Sequence, residues 1–259
     1  MPDAGTSRTR PPPRRPRPRP DQPRHQPQQP GPEPGRHRAR LAGALSNLGA
    51  ILSNLGRNQD ALPFYEEAVS LYRTLEQAEP GRHRARLAFA QANLGSTLSR
   101  LGRDTGALPV ITEAAELYRG LERAEPGRYR PNLARVLVTL GISLTAAGRD
   151  RDALPVEEEA VALYRALEQG EPGRHRADLA AAAGNLGATL SRLGDHDAAL
   201  AAAREATALY RALTETDPAA YRGRLAQALA ALGGILIDLG RLDEARDARD
   251  EADLHGHAS

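Results

Sequence analysis

The chain has 259 residues, a formal net charge of +2, no cysteine and no lysine, so all 35 of its basic residues are arginine. Disulfides, thiolate catalysis and cysteine-held metal are excluded, as are a lysine-bearing phosphate loop, Schiff-base chemistry and a lysine base. No run approaches the roughly 18 consecutive apolar residues of a membrane span, and residues 1–36 lack the apolar core of a secretory signal, so a soluble, cytoplasmic protein is expected.

Residues 1–36 come first and differ in composition from the rest of the chain. They hold 12 of the 20 prolines and eight arginines against Asp3, Asp21 and Glu33, about +5, which leaves about −3 for the remainder. Such a stretch cannot bury a core, and a disordered tail with polyproline character is expected. The basic isoelectric point therefore belongs to the tail. Two readings of it stay open: a nucleic-acid-binding arm, whose grip would fall steeply with salt, or a mis-started frame in GC-rich bacterial sequence, which the arginine-only usage suggests.

From residue 33 a pattern recurs without a gap. Residues 33–42 and 79–88 both read EPGRHRARLA; 125–134 read EPGRYRPNLA, 171–180 EPGRHRADLA and 217–226 DPAAYRGRLA. The step is 46 residues, within the range that marks stacked repeats. In the first repeat Leu41, Leu45, Leu48, Leu52 and Leu55 follow one another at four, three, four and three, the stripe of an amphipathic helix. That helix is expected to start near residue 39, and near 85, 131, 177 and 223 in the later repeats. Pro131 suits a first helical position.

Leu-Gly recurs inside this helix at Gly49, Gly95, Gly141, Gly187 and Gly233. A mid-helix glycine costs about 1 kcal/mol against alanine, which makes sense where a neighbouring helix packs too closely for a side chain. A second glycine at Gly56, Gly102, Gly148, Gly194 and Gly240 marks the helix end. A second helix comes next, with Asn58, Asp104, Asp150, Asp197 and Asp243 expected as N-caps. It carries Ala61, Tyr65, Ala68 and Tyr72 in the first repeat. Pro63, Pro109 and Pro155 fall in or just past its first turn, where little hydrogen bonding is lost. The fifth repeat lacks the Leu-Tyr pair and ends EADLHGHAS, as a polar cap or a truncated array would. Aromatics are only 3% of the chain, which stacked repeats tolerate because each unit need cover only its neighbours.

Leu48, Gly49, Gly56, Ala61, Tyr65 and Ala68 resemble the tetratricopeptide repeat. Asn-Leu before the glycine and the Ala-Leu-Pro run are similar to its kinesin-light-chain type, here with a longer period. The aromatic slot departs from the pattern at Ile111, Glu157, Ala203 and Arg249. The resemblance implies an all-α, right-handed superhelix of five helix pairs over residues 37–255, with repeats at 33–78, 79–124, 125–170, 171–216 and 217–255. It further implies a concave groove, lined by the first helix of each pair, that takes a peptide or partner protein, in a docking or sensing part of a larger regulatory system.

On that face Asn47, Asn93 and Asn185 precede the Leu-Gly step, with Thr139 and Ala231 at the missing rungs. Stacked amides can hydrogen-bond the backbone of an extended guest; the alternative is a local bond across the helix pair. Asn54, Arg100 and Arg192 lie further along, and the arginines suit carboxylates. No cofactor or metal is expected. The recurring His37, His83 and His175 are set one repeat apart, too far to share an ion, and Tyr129 and Tyr221 replace them, so a flat ring packed in the connector is expected. Pairing between repeats is expected for the neighbouring arginines with Glu76, Glu79, Glu122, Glu125, Glu168 and Glu171. No nucleophile or metalloprotease motif occurs, and His196, between two aspartates in a turn, is not read as catalytic. A non-enzymatic protein-binding scaffold is the outcome, with nucleic-acid association through the tail as the alternative.

Overall fold

A computed structural model describes residues 34–256; the expected disordered tail lies outside the described residues except for 34–36. Ten helices follow one another: α1 (Pro34–Asn54), α2 (Asn58–Ala78), α3 (Arg84–Arg100), α4 (Asp104–Ala124), α5 (Arg130–Ala146), α6 (Asp150–Gly170), α7 (Arg176–Leu193), α8 (His196–Thr216), α9 (Pro218–Asp238) and α10 (Leu242–Gly256). They form five hairpins in tandem, stacked as the all-α, right-handed tetratricopeptide-type superhelix that the sequence suggests. Each even-numbered helix packs on its own partner, and α2, α4, α6 and α8 pack also on the next odd-numbered one. Successive odd-numbered helices also approach within 8 Å between Cα atoms, whereas no two even-numbered helices do. The odd-numbered helices therefore lie on the inside of the curve.

The hairpin closes where the Leu-Gly step meets the second helix. A Cβ on Gly49 would stand 2.8 Å from the Tyr65 ring, one on Gly95 2.1 Å from Ile111 Cγ1, and one on Gly141 2.6 Å from Glu157 Cγ. Gly187 faces backbone instead, 3.3 Å from Ala199 O and Ala203 N. The slot that departs from the aromatic pattern is thus the slot that presses on the glycine. Its side chain differs from repeat to repeat; its neighbour does not.

Each odd-numbered helix ends on the second glycine in a left-handed conformation, with φ of +75° at Gly56 and +84° at Gly194. The following N–H then bonds back to the helix, as in Arg57 N to Leu52 O at 2.9 Å and Arg241 N to Leu236 O at 2.8 Å. This closure leaves no room for the caps read from sequence. Asn58, Asp104 and Asp150 are already the first helical residues, and Asp197 and Asp243 the second. The cap positions belong to Arg57, Arg103 and Arg149, which make no side-chain cap, and to Asp195, whose carboxylate accepts from Ala198 N at 3.2 Å. Acids in the first turn complement the helix dipole instead, and Asp60 and Asp152 each hold the arginine at the cap position, Arg57 and Arg149, at 2.7 Å.

The connectors explain the odd-helix starts. In Glu79-Pro80-Gly81-Arg82 the glycine has φ of +88° and Arg82 N bonds Glu79 O at 3.2 Å, a type II turn. Glu76 holds the turn from the preceding helix, accepting from Gly81 N at 2.6 Å and His83 N at 2.9 Å; Glu122 and Glu168 repeat this at Gly127, Tyr129, Gly173 and His175. Helices α3, α5 and α7 start one residue before the expected positions. Helix α9 starts five before, at Pro218, because Asp217-Pro218-Ala219-Ala220 has no glycine to turn on and Asp217 caps Ala220 N at 3.1 Å. Helix α1 likewise starts at Pro34, inside the stretch that composition assigns to the tail.

Two glycines with opposite surroundings test this packing. Gly120 has no heavy atom within 4 Å of a would-be Cβ and an ordinary helical φ, so Gly120→Ala is expected to stabilise by about 0.5–1 kcal/mol. Gly95→Ala, pressed on Ile111, is expected to destabilise by about 1–3 kcal/mol. Urea midpoints of the two variants moving the same way would refute the assignment.

Candidate functional site: the trough of the odd-numbered helices

The inside of the curve is built from odd-helix side chains and from tyrosines that reach it from behind. Tyr72, Tyr118, Tyr164 and Tyr210 are buried, one in each of the first four repeats, in the second half of α2, α4, α6 and α8. A Cβ on Gly43 of α1 would lie 3.4 Å from the Tyr72 hydroxyl, so that hydroxyl reaches between the odd-numbered helices. Burial raises the pKa of all four, to about 12 at Tyr118. Nearby groups hold the shift back: Arg86 at Tyr72, Arg135 and Asn132 at Tyr118, Arg135 at Tyr164, and Arg224 at Tyr210. The first three rings also pack on the connector. Tyr72 stands 6.5 Å from His83, Tyr118 6.3 Å from Tyr129 and Tyr164 6.3 Å from His175, the flat-ring role expected for that position.

Charge is sorted by helix. The odd-numbered helices carry twelve arginines and two aspartates; the even-numbered helices carry nine arginines and twenty-three acids. Arg40, Arg86, Arg135 and Arg224 of the odd set are exposed. On the outside a ladder at the same 46-residue step pairs one arginine of each of α2, α4, α6 and α8: Arg73–Glu113, Arg119–Glu159 and Arg165–Glu205 at 2.5 Å and Arg211–Glu251 at 2.6 Å. These half-exposed pairs contribute about 0–1 kcal/mol each. The summed charge of the array conceals this sorting; adding charges helix by helix along the 46-residue register exposes it.

The six residues singled out in the sequence do not form one constellation. Asn47 is exposed; Asn93 and Asn185 are half-buried, and none of the three makes a side-chain hydrogen bond among the described residues. Asn185 lines a groove of about 430 Å³ between α7 and α9, together with Tyr210, Arg224 and Gln227. Asn54 and Arg100 are exposed last residues of α1 and α3. Arg192 is engaged within the chain: it donates from Nε to Asp150 Oδ1 at 3.0 Å and from Nη2 to Thr189 Oγ1 at 2.9 Å. A guest carboxylate would have to displace Asp150 there. Of the acid–arginine pairs expected between repeats, Glu76–Arg84, Glu122–Arg130 and Glu168–Arg176 join successive hairpins at 3.3–3.4 Å. Glu79–Arg82, Glu125–Arg128 and Glu171–Arg174 stay inside one connector. His196 faces Asp238 of the next hairpin at 3.8 Å.

Two models of the tetratricopeptide-repeat family match the chain, over residues 40–120 and 179–218. The chain is a tetratricopeptide-repeat protein. Its fold is similar to that of BtubC (BKLC) from P. vanneervenii, at 21% identity over 84% of this chain and 80% of that one, with a TM-score of 0.60. It is similar to a putative kinesin light chain of nearly identical repeats from Podosopora anserina, at 16% identity over 86% and 99%, with a TM-score of 0.61. A Rap protein complexed with competence and sporulation factor matches at 18% identity and a TM-score of 0.56, over 82% of this chain and about half (52%) of that protein. Identities this low establish the shared fold alone. Among curated proteins no sequence match is found. No described helix of this tetratricopeptide-repeat chain is long and apolar enough to cross a membrane.

Glu157 is the one buried acid of the slot facing the Leu-Gly step, and its Oε2 has no partner. Burial raises its pKa, opposed by Thr189 and Arg192 and assisted by Asp150. Because the folded state holds the proton more tightly than the unfolded chain, stability falls as pH rises from the ordinary glutamate value through the raised one. Glu157→Ile, which copies Ile111 of the second repeat, is expected to be more stable at neutral pH by about 1–3 kcal/mol. The gain should shrink as pH falls toward the ordinary glutamate value, and a pH-independent gain in denaturant titrations would refute the buried charge.

Proposed function

We propose that this scaffold takes an extended, acidic segment of a partner protein along the trough of its odd-numbered helices. A protein-interaction role follows from the repeat family; the choice of guest rests on the charge sorting. Arg40, Arg86, Arg135 and Arg224 line a surface whose helices carry only Asp178 and Asp238 as acids. The unengaged amides of Asn47, Asn93 and Asn185 suit a guest's main chain, and Tyr210 lines the same groove as Asn185. Arg100, exposed and without an ion pair among the described residues, extends the basic surface toward the helix ends. A similar fold is seen in a Rap conjugation gene regulator in complex with the Phr* peptide, at 19% identity and a TM-score of 0.51. In a larger system such a scaffold would act as the docking part.

A fluorescein-labelled poly-glutamate peptide serves as probe, read by anisotropy. Replacing Arg86, Arg135 and Arg224 together by alanine is expected to weaken binding by about 10-fold or more, with a flatter salt dependence than the parent. Asn93→Ala with Asn185→Ala is expected to cost about 3–10-fold, the worth of one or two ordinary hydrogen bonds. Unchanged affinity in the arginine variant overturns the reading. Retention of duplex DNA but not of the peptide would replace it with a nucleic-acid role.

A further inference from the structure

The structure repeats one interface four times and leaves a fifth copy of half of it uncovered. In α3, α5, α7 and α9 the face toward the preceding even-numbered helix is buried: Leu87, Leu133, Leu179 and Leu225 at one level, Leu94, Leu140, Leu186 and Leu232 at the next. The equivalent residues of α1 are open. Leu41 and Leu48, the register equivalents, are 48% and 40% exposed, whereas those eight leucines are at most 8% exposed; Ile51, whose equivalents Thr97, Ser143, Thr189 and Ile235 are buried, is 57% exposed, and Leu55 beside it 67%.

The polar groups of that face agree with its leucines. Residues 33–42 repeat residues 79–88 letter for letter. In the later copy Arg84 lies 3.4 Å from Glu76, and the buried ring of His83 packs on Tyr72, both from α2. In the earlier copy His37 is exposed and Arg38 has no ion pair among the described residues. The arginine, the ring and the leucines of α1 thus all match what one kind of element covers elsewhere in the same molecule.

We infer that the outer face of α1 docks an acidic amphipathic helix of another polypeptide, built like the even-numbered helices of this array. The internal repeat specifies its chemistry: Val69, Tyr72 and Glu76 of α2, Ala115, Tyr118 and Glu122 of α4, and Val161, Tyr164 and Glu168 of α6 share one spacing. Its charge is specified as well, since α1 has three arginines and no acid, whereas α2 has four acids and one arginine. The composition of residues 1–33 does not match that chemistry: apart from eleven prolines, which do not suit a helix interior, their apolar side chains are Met1 and Ala4, and they are basic. Nor does α10 of a second molecule fit. It has Asp253 where the others have valine or a small residue and Gly256 where they have tyrosine, and burying that aspartate on Leu48 and Ile51 would leave it unpaired.

The probe is a labelled peptide of residues 58–78, the α2 sequence that covers the second copy of the decamer. Anisotropy with the full chain is expected to show binding that Ile51→Asp with Leu55→Asp weakens at least 10-fold. Arg38→Glu is expected to weaken it 3-fold or more, and the Glu76→Arg peptide to recover that loss. All three sites are exposed, so unchanged circular dichroism should accompany these effects. No binding up to about 1 mM overturns the inference, as does binding indifferent to the α1 substitutions. A wild-type chain that sediments as a dimer, and as a monomer after Ile51→Asp with Leu55→Asp, overturns it in favour of a second copy of this chain.

Discussion

The contact between the Leu-Gly step and the even-numbered helix is the constraint on which the array depends. Without a Cβ at Gly49, Gly95 or Gly141, the next helix can lay a whole side chain across the backbone of the first. That sets the hairpin, and the hairpin sets the stack, because every even-numbered helix must then bury its remaining apolar face on the following odd-numbered one. The odd-numbered helices are drawn together on the inside and the even-numbered ones spread on the outside. A trough is a consequence of this asymmetry.

Spreading has an electrostatic side. Even-numbered helices that do not touch through their backbones are joined by long arginine–glutamate rungs, and their surplus of acid faces outward. Like charges on neighbouring outer helices sit further apart there than they would on the inside. The inner helices crowd, yet they carry most of the unopposed arginine. Crowding of one sign of charge costs stability in the free array and is offset when an opposite charge arrives. The same logic holds at α1, where Arg38 lies at one end of an apolar face whose later copies meet acid.

The scaffold was legible in the sequence because its determinants are local and periodic: the 46-residue step, the leucine stripe, and glycines at both the contact and the helix end. The features that escaped depended on partners distant in sequence. The decamer at 33–42 and its copy at 79–88 are identical, yet the former lies in a helix from Pro34 and the latter makes a turn at Gly81. The difference lies in Glu76, which holds the second copy; the position equivalent to it before the first is Pro30. Arg192 read as a free cation, whereas Asp150, in the hairpin before, engages it. The caps were misplaced for a nearer reason: glycine closure uses up the residue that would have served.

A repeat built this way confines variation to places where it alters geometry by small amounts. In the fourth hairpin the slot residue is Ala203, and the glycine opposite it meets backbone at 3.3 Å instead of a side chain. Helix pairs approach according to the side chains between them, over a range of about 8–10 Å, so a small residue in the slot draws α8 toward α7. The inter-hairpin groove holding Asn185 and Tyr210 lies beside that pair, whereas the third hairpin carries a buried carboxylate in the same slot. One position per repeat therefore sets how closely the two helices of a hairpin approach, and with that the spacing of the inner helices, from a slot that lies behind their exposed face.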